Sequence, residues 1–427
     1  MSIHGSNDVQ TKQRFAARVT PALHSLRPQR AGVAYALLLL VVVLAIVTAV
    51  KGQPAYLSTV NVSNILDQAA PDAILAVFMT VVLISGNFDL SVASVAALAA
   101  ALALTTIDSI GTVPAILVAL AVGAVVGLIN AVLVQKIGVN AFIVTLGTMT
   151  AVRGVVLIVL NGQSVTPNSR ALVPLDSTIL KVPAAVAFGF GILLLVLAFV
   201  RFRQLRDSQA PPLDGFFVAL ICMALSGPII AVIAPALLTE PLPVWLMLWV
   251  TVGVSIALRF LVAGRNLYAV GSNAEAARLS GINISLYKMV PFVLSGLASA
   301  VVGLLYAGQF NSVDPNALTG TELTVIAAAI LGGTSLFGGA GYVAKSVLGT
   351  LVLFTLSNGF NVLNLGSNYQ YVVQGAVLIA ASAVYMIAAK SPKRRNAHRQ
   401  DHETPDPSMP VDSDTQPESA QPALDLS

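Results

Sequence analysis

Residues 264–288 read GRNLYAVGSNAEAARLSGINISLYK, a polar stretch between apolar runs long enough to cross a bilayer. Its grammar is that of a capped helix. Ser272 followed by Glu275 fits a capping box, in which each side chain satisfies the other residue's free backbone N–H. Gly281 fits the stop, where the chain turns left-handed without a Cβ penalty. The helix between them, 273–280 from Asn273, holds about eight residues and runs roughly 12 Å at 1.5 Å per residue. It sets small Ala274 and Ala277 beside charged Arg278. Two readings fit: a docking surface for a soluble partner, or an amphipathic linker resting on lipid headgroups, which Arg265 and Arg278 favour.

Working outward, the flanks decide the class. Of 427 residues, 56% are hydrophobic and 10% charged, too much apolar surface for a water-soluble core to hide. The expected fold is all-α, a polytopic integral membrane helical bundle of 10–12 segments. The net charge of +4 does not point to nucleic acid, because the basic residues cluster beside apolar runs, as topology signals do. A single cysteine, Cys222, excludes a disulfide framework and a thiolate metal site. His4, His24, His398 and His402 all lie in the polar ends, which disfavours intramembrane zinc, Ser–His catalysis and a histidine proton relay. The first apolar run is as long as a full span and reads as a retained helix rather than a cleaved signal.

Apolar runs near spanning length fall at 33–50, 69–85, 92–107, 113–134, 141–160, 184–200, 215–237, 244–262, 289–308, 323–338, 343–361 and 371–389. Arg14, Arg18, Arg27 and Arg30 precede the first and predict a cytoplasmic N-terminus. Threading twelve segments from there keeps Lys136, Arg201–Arg206, 264–288, Lys345 and the basic run 390–399 on the same side. Two segments look broken. The run at 92–107 is short and follows Gly86-Asn87-Phe88-Asp89, and 323–338 dissolves into LGGTSLFGGAG. Non-helical backbone at membrane depth is tolerated only where protein buries it or where it lines a cavity. The chain therefore divides into a cytoplasmic tail (1–30), a transmembrane domain (31–389) containing the 264–288 loop, and an acidic, Pro- and Ser-rich tail (390–427) expected to be disordered.

Charges inside apolar runs cost roughly 2.5–3.5 kcal/mol each at the bilayer centre. That singles out Asp89, Arg153 and Glu322. Asp89 and Glu322 are both candidate partners for Arg153, and either pair would serve helix packing as readily as solute contact. Asn130, Asn358, Asn361 and Gln374 read by default as interhelical glue. Gly339 to Ala344 matches a dinucleotide-binding pattern, GxGxxA, but lacks the strand–turn–helix setting that the chemistry needs.

The ordered blocks then become recognisable. NVSNILDQAAPDAILAVFMTVVLISGNFDLSVAS (61–94), NAFIVTLGTMTAVRG (140–154), the 264–288 stretch, DPNALTGTELTVIAAAILGGTSLFGGAGYV (314–343) and LSNGFNVL (356–363) occur in order. Together they resemble the membrane permease subunit of bacterial ATP-binding-cassette importers for monosaccharides, the ribose/xylose/galactoside branch. Departures from that pattern are Asn87 and Ala93 where glycines are usual, Thr321 and Thr324 where an aromatic and often an acidic residue are usual, and Ala340 where a basic residue is common. The added length around Arg201–Arg206 resembles the xylose-type members.

The resemblance implies one half of a dimeric pore in the bacterial inner membrane, homo- or heterodimeric. An extracytoplasmic sugar-binding protein would load it, and a separate ATP-binding subunit would drive it. The chain itself would bind no cofactor and hold no ATPase site, and no metal. The expected coupling loop comprises Gly264, Arg265, Ser272, Asn273, Glu275, Ala277, Arg278 and Gly281. Candidate pathway residues are Asp89, Ser91, Thr145, Arg153, Glu322 and Asn358. The alternative is an ion-coupled secondary transporter of a small polar solute, whose helices would also be broken near the midplane.

Overall fold

A segment in hydrocarbon must close its own backbone hydrogen bonds, so apolar runs fold as helices. The computed structural model describes residues 28–181 and 238–365, with isolated positions between 192 and 232 and between 372 and 379. All of these fall in the unit Met1–Ala380; the second unit, Ala381–Ser427, lies outside the described residues. Outside them too lie most of the N-terminal tail, Arg201–Arg206, Gln374, and the runs 184–200, 215–237 and 371–389 apart from isolated positions.

Eight described helices are long and apolar enough to cross a membrane. In chain order the elements are α1 (Pro28–Val50), α2 (Thr59–Ile84), α3 (Val92–Ile110), α4 (Thr112–Val132, extended by a π turn, Leu133–Ile137) and α5 (Ala141–Val159). A short helix, α6 (Pro174–Ser177), leads into strand β1 (Ile179–Lys181), which pairs antiparallel with β2 (Thr239–Pro241). That pairing clamps both ends of the 182–238 insertion at one point. There follow α7 (Leu242–Phe260), α8 (Val262–Ser272), α9 (Ala274–Leu279), α10 (Ile284–Phe310), α11 (Thr321–Leu331) and α12 (Val343–Val362).

α10 is the central post, packed against α2, α3 and α4. Lipid offers no hydrophobic drive between helices, so close approach depends on small residues. Gly123 and Gly127 of α4 lie against the backbone of Gly296 and Phe292, and Gly303 lies against Ala96 of α3. Gly349 of α12 meets Ala328 of α11 in the same way. By contrast α1 presents Leu38, Leu39 and Ile46 outward and packs through Leu44 on Gly359.

Several sequence expectations are corrected. α2 starts at Thr59, ten residues before the apolar run at 69, because Ser58 accepts from the Asn61 amide and the polar first turns find partners. α3 is not broken; it is a continuous helix of 19 residues, and the break lies in the link before it. α11 does stop halfway, at Gly332. The capping box is absent. Asn273, extended at φ −156°, caps α9 by accepting from Ala276 N, while Ser272 closes α8 by donating to the Tyr268 carbonyl. Glu275 instead binds Arg278 at 2.6 Å, and α9 has six residues rather than eight. Gly281 does turn left-handed, at φ +78°.

The glycine crossing makes a matched prediction. Gly296→Ala and Gly154→Ala gain the same helix propensity, about 1 kcal/mol. A Cβ at 296 overlaps the Gly123 carbonyl, whereas at 154 it meets nothing. Thermal melting in detergent should show Gly296→Ala destabilised by about 1–3 kcal/mol and Gly154→Ala unchanged or slightly raised. Equal melting temperatures would contradict the crossing.

Candidate functional site

Two non-helical links, 85–91 and 332–342, sit at the bundle end that also carries Lys136, Arg265 and Lys288. Each must find hydrogen bonds for its freed backbone. The first closes α2 through Gly86 N to Leu83 O and Asn87 N to Val82 O, with Gly86 left-handed at φ +80°. The second folds on itself through Ser335 N to Ala340 O, and reaches the end of α2 through Gly339 N to Ile84 O at 2.9 Å. The second break thus supplies a donor to the helix end at which the first begins.

Asp89 lies in the first link and is 1% exposed. Its Oδ1 accepts from the Ser91 amide at 3.0 Å and the Ser91 hydroxyl at 2.6 Å; its Oδ2 accepts from Ser295 of α10 at 2.7 Å. The carboxylate sits at the α3 N-terminus, where the helix dipole favours an anion. The chain of bonds continues outward: Asn130 of α4 donates to Ser91 Oγ at 3.0 Å, and Thr148 of α5 donates to Asn130 Oδ1 at 2.7 Å. Five side chains, Asp89 among them, from three helices and one link thus form one network around a buried carboxylate held by neutral donors.

The 264–288 stretch joins the same place. Gly271, one residue before the end of α8, has no room for a Cβ against the Ile84 carbonyl. Tyr268 Oη donates to the Gly341 carbonyl at 2.8 Å, and Ser272 Oγ lies 3.4 Å from the Gly339 carbonyl. Beyond this junction α9 leaves Glu275, Arg278 and Leu279 exposed, with Ala277 buried beneath. Beside it a cavity of about 520 Å³ opens among Asn87, Phe88, Gln135, Asn140, Phe142 and Lys288.

Asp89 does not pair with Arg153. Arg153 donates to the carbonyls of Pro315 and Ala317, at 3.2 and 2.8 Å, with Glu322 and Asp314 as its nearby carboxylates. The reason is distance along the bundle: the 311–320 loop sits at the opposite end, bridged to Val165 through Val313. Glu322 keeps Oε2 buried without a hydrogen-bond partner. Asn358 exchanges two bonds with Asn61 of α2, at 3.1 and 2.9 Å, which is glue. Thr145 is buried, and its hydroxyl bonds stay within its own helix. Of the six candidate pathway residues, only Asp89 and Ser91 meet directly.

Sequence reasoning missed Ser295, Thr148 and Tyr268. Ser295 and Thr148 stand as single hydroxyls inside apolar helices, where the default is a bond to the preceding turn. It also missed Glu240, 2% exposed, which accepts from Ser63 at 2.6 Å. Burial raises the Glu240 carboxyl above its ordinary range, opposed by the Ser63 bond and reinforced by Asp67. Burial, then the Asp67 charge, likewise pushes Asp176 up to about 6.

Comparison with known proteins bears on this geometry. Residues 61–382 match the family described as branched-chain amino acid transport system, permease component. The xylose transport system permease protein of Escherichia coli K12 is 38% identical over 80% of this chain and 88% of its own. The ribose import permease protein of the same strain is 34% identical over 82% and 92%. The xylose permease protein of Haemophilus influenzae is 33% identical over 81% and 94%. No solved structure matches significantly.

The bonding pattern predicts which substitutions interact. In a double-mutant cycle read by unfolding in detergent, Asp89→Asn and Ser295→Ala should couple by about 0.5–3 kcal/mol, as contacting groups do. Asp89→Asn and Arg153→Gln should add within about 0.5 kcal/mol, as separate sites do. The reverse pattern would restore the Asp89–Arg153 pair.

Proposed function

The chain belongs to the permease-component family of ATP-binding-cassette importers, as a multi-pass membrane protein, and we propose that its cargo is a monosaccharide. The family description speaks of amino acids, whereas the relatives similar over four-fifths of the chain are named for xylose and ribose. That likeness favours a sugar. The added length around Arg201–Arg206, which resembles that of the xylose-type members, favours a pentose.

The observation that carries the mechanism is the exposed α9 following directly on α8, whose Gly271 and Ser272 lie in a close junction with both helix breaks. The bundle end bearing Lys136, Arg265, Arg278, Lys288 and Lys345 is proposed to face the cytoplasm of a bacterial inner membrane, because basic residues stay on that side. Both termini then lie inside. Glu275, Arg278 and Leu279 offer the docking face for a separate ATP-binding subunit. The opposite end, with the 160–177 and 311–320 loops, meets an extracytoplasmic sugar-binding protein. A second permease copy completes the pore. The chain uses no cofactor of its own and hydrolyses no ATP.

In this reading Asp89 orients the Ser91, Ser295 and Asn130 groups, which are suited to hydroxyl-rich cargo, and the cavity beside Asn87 and Lys288 is the cytoplasmic exit. Arg153 and Glu322 mark the outer mouth. Cargo passes when ATP binding shifts the bundle between outward- and inward-open packings, with no covalent step in this chain.

The test is a reconstituted complex with its ATP-binding subunit and binding protein in vesicles. Xylose or ribose should stimulate ATP hydrolysis several-fold and enter the lumen, while leucine should do neither. Stimulation by leucine alone would replace the sugar with an amino acid. Uptake that survives ATP depletion but collapses with the ion gradient would replace ATP drive with ion coupling.

A further inference from the structure

The junction between the 264–288 stretch and the two helix breaks is built almost wholly from backbone. Gly271 touches the Ile84 carbonyl, and a Cβ on it would also lie 2.7 Å from Gly339 N. A Cβ on Gly338 would lie 2.7 Å from the Gly271 carbonyl oxygen and 2.9 Å from Gly86 Cα. Gly339, left-handed at φ +69°, has its Cβ position filled by Ser272. Three segments distant in sequence therefore meet mostly through backbone, with the Ser272 and Tyr268 hydroxyls as the side-chain groups at the contact. A contact through long side chains absorbs displacement by rotamer change, but one between backbones does not.

Two branches leave this junction. From Ile84 the chain reaches Asp89 in five residues, with Asn87 N tied to Val82 O. From Gly341, whose carbonyl takes the Tyr268 hydroxyl, it reaches Ser346 in five more. Ser346 shares a hydrogen bond with Thr80 of α2 at 2.6 Å. At the other side, α8 connects to the exposed α9 through Asn273 alone.

We propose that Gly271, Gly338, Gly339 and Tyr268 are positioning residues for transport: they carry the displacement of α9 into the 85–91 link and so set the place of Asp89 and its hydroxyl network. The proposal rests on the ATP-driven reading above. Its distinctive claim is that coupling runs through this one junction, by its backbone contacts and the Tyr268 bond to the Gly341 carbonyl together, so that removing that single hydroxyl on α8 disturbs coupling without disturbing docking on α9.

The experiment uses the complete complex in vesicles, with the sugar found to stimulate the wild type. Tyr268→Phe loses only the bond to the Gly341 carbonyl. It should insert at wild-type abundance, copurify with the ATP-binding subunit and keep basal ATP hydrolysis, while the stimulated-to-basal ratio and uptake fall at least about threefold. Gly271→Ala should lose uptake more completely. If Gly271→Ala fails to insert, Tyr268→Phe decides alone. A wild-type ratio and uptake in Tyr268→Phe would overturn the proposal, as would an equal fall of basal and stimulated hydrolysis, which marks a merely structural contact. A wild-type complex that no sugar-loaded binding protein stimulates would instead sink the ATP-driven sugar reading, before any variant is compared.

Discussion

Backbone polar groups inside a bilayer have no water to turn to, and each one left unpaired costs several kcal/mol. Among the described links at one end of the bundle, 85–91 and 332–342 are the two longest, and much of the packing there follows from how they are satisfied. The second bonds the end of α2, where the first begins, through Gly339 N to Ile84 O, and bonds α8 through Tyr268 and Gly341. This requirement explains the glycines better than flexibility does. Gly271, Gly338 and Gly339 lie where any side chain would separate backbones that must touch.

Asp89 belongs to the same logic. A buried carboxylate held by a cation would be a packing pair, inert to a neutral solute. Here its donors are the Ser91 amide and hydroxyl and the Ser295 hydroxyl, with Asn130 and Thr148 behind them. Such a network ties α4, α5 and α10 to the short link that leads into α3, so a shift of the link must break or remake several bonds together. Discrete rearrangement of that kind suits a two-state permease.

Much of this was legible in sequence. Hydropathy found the eight described spans, because lipid leaves a helix as the open solution for an apolar run. The glycine run at 331–341 and the polar loop at 264–288 were visible for the same reason: both violate that rule locally. The failures were of three-dimensional origin. α2 extends over Thr59 to Gln68 because Asn358 and Glu240, remote in sequence, satisfy its polar side chains. The capping box failed because α8 ends where α9 begins, so Ser272 already belongs to the preceding helix and Asn273 takes the cap. Asp89 was singled out by its cost, but its partner stayed open: hydroxyls are too common in apolar helices for Ser295 to stand out, while Arg153 does.

The central claim is that α8, the 85–91 link and the 332–342 link move as one body relative to α4 and α5. Distances between spin labels measure this directly in the assembled complex, after Cys222→Ser. One label goes at Ala269 on α8, one at Phe337 in the glycine link, and one at Ile143 on α5, all exposed positions. Between nucleotide-free and ATP-bound states, the 269–337 distance should stay constant while the 269–143 distance shifts by several ångströms. A 269–337 distance that changes as much as 269–143 would show that the junction opens, and would contradict the account.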